Sequence, residues 1–393
     1  MTRKSYLILE DGSSFEGESF GYDGEVVGEV VFNTSMTGYQ EMLTDPSYGG
    51  QILVTTYPMI GNYGINGQDI ESDEIQVNGL VVRHHCDNPS HPLSEMTLDK
   101  YLDSNGISGI SGLDTRALTK KIRSFGVMMG IITTERSLEK ALGTLRSSTK
   151  YEQYDFVRQV STDNVYKWTG NSSASNSRTF SDMKARIKNK IITKNQTSKL
   201  HIVVTDYGLK FNILRSIQVR DCLVTVVPDM STSDDILSLK PDGVILSPGP
   251  GDPAGLDRMV NEVRKIIGLV PIMGICLGHQ IVARAMGAKT FKLHFGHRGG
   301  NQPVRDLETG NIYVTAQNHG YAVDNELLPE GLEVSHENLN DGTVEGLRHK
   351  DLDLMTIQYH SEGSPGPHDS EYLFDRFLSI VKKNVKSQKG MKQ

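Results

Sequence analysis

Cysteine is scarce: three in 393 residues, at Cys86, Cys222 and Cys276. So few, so far apart, exclude a disulfide framework. A basic excess is missing too. Lys plus Arg is 41 and Asp plus Glu is 48, a net charge of −7, which argues against nucleic acid as the main partner. No apolar run approaches the ~18 residues that a membrane span needs, so no membrane partner is expected. The first residues, MTRKSYLILEDG, turn polar too soon for a signal peptide. These absences leave a cytoplasmic globular chain, long enough for two domains with real cores. Without secretion, the N-x-S/T triplets at Asn33, Asn171 and Asn195 carry no meaning.

The chain divides at a polar stretch. Residues 168–199 read WTGNSSASNSRTFSDMKARIKNKIITKNQTSK, Ser/Asn-rich and then strongly basic. This reads as a solvated linker, 161–199, with contact to a partner protein as its other use. Residues 1–160 then form an α+β domain. YLILEDGSSFEGE looks like two strands about an Asp11-Gly12 turn. VVFNTS, ILVTT and GLVV are further strand candidates. LDTRALTKKIRSFG predicts a helix capped by Asp114 and ended at Gly126.

Residues 200–393 change rhythm, with apolar strands alternating with helices. LHIVVTD, CLVTVVP, DGVILS and VPIMGI are the strands; KFNILRSIQVR, TSDDILSLK, LDRMVNEVRKII and HQIVARAMG are the helices. That alternation implies a doubly wound, mostly parallel α/β sheet, whose ligands bind at the carboxyl ends of the strands.

Cys276 stands at such an end. Residues 271–288 read PIMGICLGHQIVARAMGA. Gly274-Ile275-Cys276-Leu277-Gly278 has the form of a G-x-S-x-G nucleophile elbow with Cys for Ser. Glycines on either side avoid collisions at the sharp turn. The helix that follows aims its free N–H groups and positive dipole end at the sulfur, which favours thiolate. Cys86 and Cys222 lack the glycines and read as structural.

A cysteine nucleophile needs a base and a group to orient it. Among 12 histidines, His279 on the elbow helix points away or packs. His294 and His297 suggest a metal pair, but no carboxylate or cysteine lies near them in sequence, so no metal is expected. MTIQYHSE is the better source. Met355–Tyr359 is strand-like, and His360 and Glu362, two apart, point the same way. Glu362 would hold the His360 ring while His360 takes the proton from Cys276. The loop LSPGPGDPAG is no Walker A motif, since no Gly-Lys-Ser/Thr follows. Beside a nucleophile its glycines suit an oxyanion hole, with the N–H groups of Gly249 and Leu277 as donors, each worth roughly 3 kcal/mol in a transition state.

GICLGHQ, PGPGDP and the late His-x-Glu resemble the class I (triad-type) glutamine amidotransferases. Within them, FNTSMTGYQEMLTDPSYGGQILVTTYPMIGNYG, GLDTRALTKKIRSFG, FGHRGGNQPV, TAQNHGYAV and SPGPHD resemble the small-subunit family of carbamoyl-phosphate synthase, over nearly all of the chain. The resemblance implies hydrolysis of L-glutamine, with ammonia passed to a large subunit that makes carbamoyl phosphate from bicarbonate and ATP for arginine and pyrimidine synthesis. It implies a triad of Cys276, His360 and Glu362. It also implies glutamine contacts at Ser47, Gly249, Gly251, Leu277, Gln280, Asn318, Gly320 and Tyr321; for Tyr321 packing is an equal alternative. No cofactor is implied in this chain. ATP with magnesium belongs to the large subunit, in a heterodimer or a higher oligomer.

The family usually reads His-Pro-Glu. Ser361 stands where that proline would be, which loosens the backbone between base and orienter. Position 321 is often Phe, so the Tyr321 hydroxyl needs a partner. Two rivals are another Cys-triad γ-glutamyl hydrolase, disfavoured by the dedicated N-terminal domain, and a non-catalytic scaffold subunit, disfavoured by the complete triad.

Overall fold

The computed structural model describes residues 3–135, 137–170, 199–326 and 328–390. In the first half, seven strands close into a barrel: β1 (Lys4–Leu9), β2 (Ser14–Gly21), β3 (Val26–Asn33), β4 (Gln51–Thr55), β5 (Gly79–Val81), β6 (Ser108–Ser111) and β7 (Met128–Thr133). Their order is β1-β2-β6-β5-β4-β3-β7, and β7 returns to β1. Closure leaves no free strand edge. β1 and β2 form the expected hairpin about Asp11-Gly12. Helix α1 (Thr115–Phe125) starts where Asp114 accepts the Ala117 N–H and stops at Gly126, φ +93°. Its Leu118 and Ile122 pack into the barrel core.

The second half is a ten-stranded sheet. Its strands are β8 (Tyr166–Lys167), β9 (His201–Asp206), β10 (Leu223–Pro228), β11 (Gly243–Leu246), β12 (Ile272–Ile275), β13 (Thr290–Asp306), β14 (Ile312–Val323), β15 (Leu332–Asn338), β16 (Val344–His349) and β17 (Leu354–Ile357). The order is β8-β10-β9-β11-β12-β17-β16-β15-β13-β14. The block β10-β9-β11-β12-β17 is parallel throughout. This is the expected doubly wound half, and it carries the elbow. From β17 onward the sheet continues antiparallel.

Successive strand residues alternate between two cores. Val203, Val244 and Ile272 face Val263 and Ile281 on one side. Ile202, Val204, Ile245 and Met273 face Ile213, Leu214, Phe374 and Phe377 on the other. Helices on both faces explain why these strands read as unbroken apolar runs.

The segment read as a linker begins as part of this sheet. β8 pairs with β10, and the Trp168 N–H donates to the Val224 carbonyl. Its stretch 171–198 lies outside the described residues. Among the described residues, no helix is long and apolar enough to cross a membrane.

Candidate active site

The elbow is sterically forced. β12 ends at Ile275, and helix α3 (Leu277–Met286) starts one residue after Cys276. Cys276 itself has φ +51°, ψ −104°, a conformation costly for a residue with a Cβ. A Cβ on Gly274 would lie 2.7 Å from the Gly278 carbonyl oxygen, and one on Gly278 would lie 2.2 Å from the Leu246 carbonyl oxygen. The two glycines let helix and strand cross at Cys276. Gly278→Ala is therefore expected to destabilise the chain by about 1–3 kcal/mol. Gly255→Ala, where a Cβ meets nothing within 4 Å, should be nearly neutral. Thermal unfolding of the two variants checks the difference.

His360 and Glu362 follow β17, the strand beside β12. His360 Nδ1 lies 2.6 Å from Glu362 Oε1, and both residues are buried. Burial pushes the imidazole pKa down, but the Glu362 carboxylate outweighs it and holds the ring above its ordinary value, with the Cys276 sulfur adding to the shift. Burial pushes the carboxyl up, but the cations of Lys210 and His360 outweigh it and hold Glu362 below its ordinary value. His360 Nε2 makes no hydrogen bond of good geometry. Catalytic contacts of this kind often tighten only around substrate. The Cys276 sulfur lies 3.7 Å from the Asn318 carbonyl oxygen.

With Ser361 between them, the His360 and Glu362 side chains lie within hydrogen-bond distance. Lys210 Nζ sits 3.1 Å from Glu362 Oε1 and donates to the Gly363 carbonyl at 2.7 Å. The Asn212 amide donates to the Glu362 carbonyl. Support thus comes from a buried lysine and an asparagine rather than from a proline ring. Behind them stands Glu71 of the N-terminal half. It pairs with Arg215 at 2.9 Å and accepts the Asn212 N–H at 3.0 Å, all within the buried interior.

Cys276 faces a polar pocket between the two halves. Ser47, Gly249, Gly251, Gln280, Asn318, Gly320 and Tyr321 line it, all of them residues expected to contact substrate. Leu277 does not. Its side chain is in the hydrophobic core, and its position at the helix start offers a backbone N–H instead. His360 and Glu362 do not line it either; His360 faces a second cavity with Lys210 and Asp45.

Several pocket atoms await a partner. Ser47 Oγ and Tyr321 Oη are buried with no hydrogen bond within the protein. Asp45 accepts the Ser47 N–H at 2.9 Å and the Asn318 amide at 3.0 Å, tying the two halves together. Gln280 spends its amide nitrogen on the Tyr321 carbonyl and on Gln358. The Gly251 N–H donates to the Tyr151 hydroxyl at 3.1 Å, so a ligand there displaces that bond. The sequence reading missed Glu29 and Lys292, which also line the pocket and pair at 2.7 Å across the two halves. It also missed Lys210. No spacing rule singles out these charges.

Of the other cysteines, Cys222 is buried and Cys86 is half-buried. Burial pushes the Cys222 thiol up to about 11, and Cys86 donates to the Asn88 carbonyl. His279 is buried against Thr356, and burial pushes its pKa down to about 3.

The site thus sets an elbow cysteine at the end of one parallel strand and a His–Glu pair just past the end of the next. Residues 203–380 match the family model of glutamine amidotransferase class-I, and residues 7–132 match that of the carbamoyl-phosphate synthase small chain, CPSase domain. The chain is 48% identical over 372 residues to the carbamoyl phosphate synthase small chain of Rhodopirellula baltica, covering 94% of each. It is 48% identical over 379 residues to that of Streptococcus agalactiae, covering 96% of this chain and 98% of the other. A glutamine amidotransferase from Thermotoga maritima is similar over 49% of this chain and 86% of its own, with 16% identity and a TM-score of 0.35. The chain belongs to the carbamoyl phosphate synthase small-chain family, and it is a glutamine amidotransferase subunit of that ligase.

Proposed function

We propose that Cys276, His360 and Glu362 act as a triad that releases ammonia from L-glutamine for a large synthetase subunit. His360 removes the thiol proton, and the thiolate attacks the side-chain carbonyl carbon of glutamine. The oxyanion rests between the N–H groups of Gly249 and Leu277. His360 returns the proton as the C–N bond breaks, and ammonia leaves. Water, deprotonated by the same imidazole, then hydrolyses the glutamyl thioester to glutamate and free thiol. Gly251, Gln280, Asn318, Gly320 and Tyr321 hold the amino-acid head together with Ser47.

The observation that carries this reading is the 2.6 Å His360–Glu362 pair behind an elbow cysteine that faces a pocket of unpartnered polar atoms. The large subunit combines the ammonia with bicarbonate and ATP, using magnesium, and its carbamoyl phosphate serves arginine and pyrimidine synthesis. This chain needs no cofactor for its own step. The cytoplasm suits it, because a reducing compartment keeps the nucleophile a free thiol. The test is co-purification with the large subunit, followed by assay of carbamoyl phosphate formation with glutamine and with ammonium as nitrogen source. Synthesis from ammonium alone would overturn the reading.

Ser47 tests whether the halves share one site. Its Oγ is buried and unpartnered, so Ser47→Ala removes no bond within the protein. It removes one neutral hydrogen bond to glutamine, roughly 0.5–1.5 kcal/mol. A contact kept from ground state to transition state raises KM and spares kcat. The expected result is a several-fold higher KM for glutamine, with kcat and ammonium use nearly unchanged. An unaltered KM in the folded variant would remove the N-terminal half from the glutamine site.

A further inference from the structure

Beneath the substrate pocket the fold gathers a buried cluster that the triad does not use. His297 on β13, His319 on β14 and Glu345 on β16 place one donor atom each within 4.8 Å of one another, and all three are buried. Sequence spacing had set His297 beside His294; the strand order sets it beside His319, with the rings 5.0 Å apart and nearly perpendicular.

The outer bonds of the histidines fix their inner nitrogens. His319 Nδ1 lies 2.8 Å from the Tyr321 carbonyl oxygen. A carbonyl only accepts, so Nδ1 carries the hydrogen and Nε2 presents a lone pair. His297 Nε2 lies 2.8 Å from an Asp341 carboxylate oxygen. It carries a hydrogen too, which turns Nδ1 inward, 3.6 Å from Glu345 Oε1 and with no hydrogen bond of good geometry. A histidine that donates one ring N–H to a carbonyl or carboxylate and turns the other nitrogen inward is arranged as metal-ligating histidines are. Glu345 completes the set, with Oε2 buried and unpartnered.

The hydrogen bonds around the cluster are also one positive charge short. The His319 Nε2 lone pair faces Gln317 Oε1 at 2.8 Å, two acceptors in contact. Turning the Gln317 amide over repairs that contact but brings its oxygen against Glu345 Oε1, at the 2.9 Å now spanned by the amide nitrogen. Either orientation leaves acceptor against acceptor. A cation among His319, His297 and Glu345 relieves both.

We propose that His297 Nδ1, His319 Nε2 and Glu345 bind a divalent transition-metal ion of the zinc class. Two imidazoles and a carboxylate are a zinc donor set, and ligand bonds of about 2 Å require each side chain to close in by under about 1 Å. The charges of Glu345 and Asp341 balance a dication. The ion would pin β13, β14 and β16 together directly under Asn318 and Tyr321. The competing arrangement is a proton in its place, either on His319 Nε2, donating to Gln317 Oε1, or on His297 as an imidazolium between Asp341 and Glu345.

Zinc loading of the full-length chain separates the two. Cys276→Ser serves as the background, because the active-site thiol is itself a zinc ligand. After metal-free chain is mixed with a small excess of zinc sulfate and desalted, about one zinc per chain should remain by elemental analysis. Cobalt(II) should give the visible absorption of a low-coordinate site, and thermal unfolding should move upward with metal. Glu345→Gln in the same background should abolish retention. Asp341→Asn, which alters the outer partner of His297 and leaves the three ligating side chains in place, should weaken zinc binding about 10–100-fold. It also decides the matter if Glu345→Gln fails to fold. No retained zinc in the background chain, or equal retention in both variants, would overturn the proposal in favour of the proton.

Discussion

Cys276→Ala is expected to abolish carbamoyl phosphate synthesis from glutamine and to leave synthesis from ammonium intact in the assembled complex. The asymmetry follows from where the sulfur sits. It is the only one of the three cysteines that lines the pocket. No other side chain there can form the thioester, so losing it ends glutamine hydrolysis rather than slowing it. Ammonium needs no such step. Ala keeps the backbone and leaves the buried pair of His360 and Glu362 in place, so the subunit should still dock. Parallel assays with glutamine and ammonium chloride on the purified complex check this. Undiminished glutamine use would sink the triad assignment. Loss of both activities in an intact complex would give the cysteine a role beyond glutamine chemistry.

Glu362→Gln should be almost as severe, for a different reason. In the proposed mechanism the carboxylate fixes the His360 ring and stabilises the imidazolium that forms when Cys276 gives up its proton. An amide presents the wrong group and no charge. The corresponding change in serine-protease triads costs about 10⁴-fold in kcat, and about 10³–10⁴-fold is expected here. The pH profile should move as well. Glu362 holds the imidazole above its ordinary value, so without it the ring loses its proton at lower pH, and the limb of the profile set by His360 shifts to the acid side. Stability should fall too, because Lys210, 3.1 Å away and buried, loses its counter-charge. Breaking one half of a buried pair costs about 3–5 kcal/mol. Adding Lys210→Met should then restore much of the melting temperature and none of the kcat. Recovery of activity in that double variant would show that Glu362 serves folding alone.

The elbow was legible because its demands are local. A positive φ at Cys276, and a crossing too tight for a Cβ at Gly274 and Gly278, can be met only by particular residues at fixed offsets. The His360–Glu362 pair was legible for the same reason, since an extended chain puts alternate residues on one side. Helix α1 announced both of its ends through Asp114 and Gly126. Barrel closure was not legible. Its strands are short and pair out of sequence, β6 with β2 and β5, so nothing within a window of sequence records the order. Lys210 was invisible because its partner Glu362 is about 150 residues away, and a lysine at the start of a helix ordinarily reads as solvated. Glu71, Lys292 and Glu345 were hidden in the same way. β8 was lost because its two residues adjoin a polar stretch, and pairing with β10, not composition, makes them a strand. His297 found its neighbours through sheet order rather than spacing.

The Glu71–Arg215 pair bears on how such chains can be recombined. Arg215 sits in helix α2 (Phe211–Gln218) and is nearly inaccessible, yet its counter-charge is contributed by the other half. Asn212 of the same helix donates its N–H to the Glu71 carboxylate and its side-chain amide to the Glu362 backbone carbonyl. Grafting the second half onto a foreign first half would therefore strand a guanidinium without its anion and slacken the support of Glu362 in one stroke. The seam between the halves is a poor place to cut. A productive chimera has to carry the segment around Glu71 along with the nucleophile, so the heritable module is the whole chain.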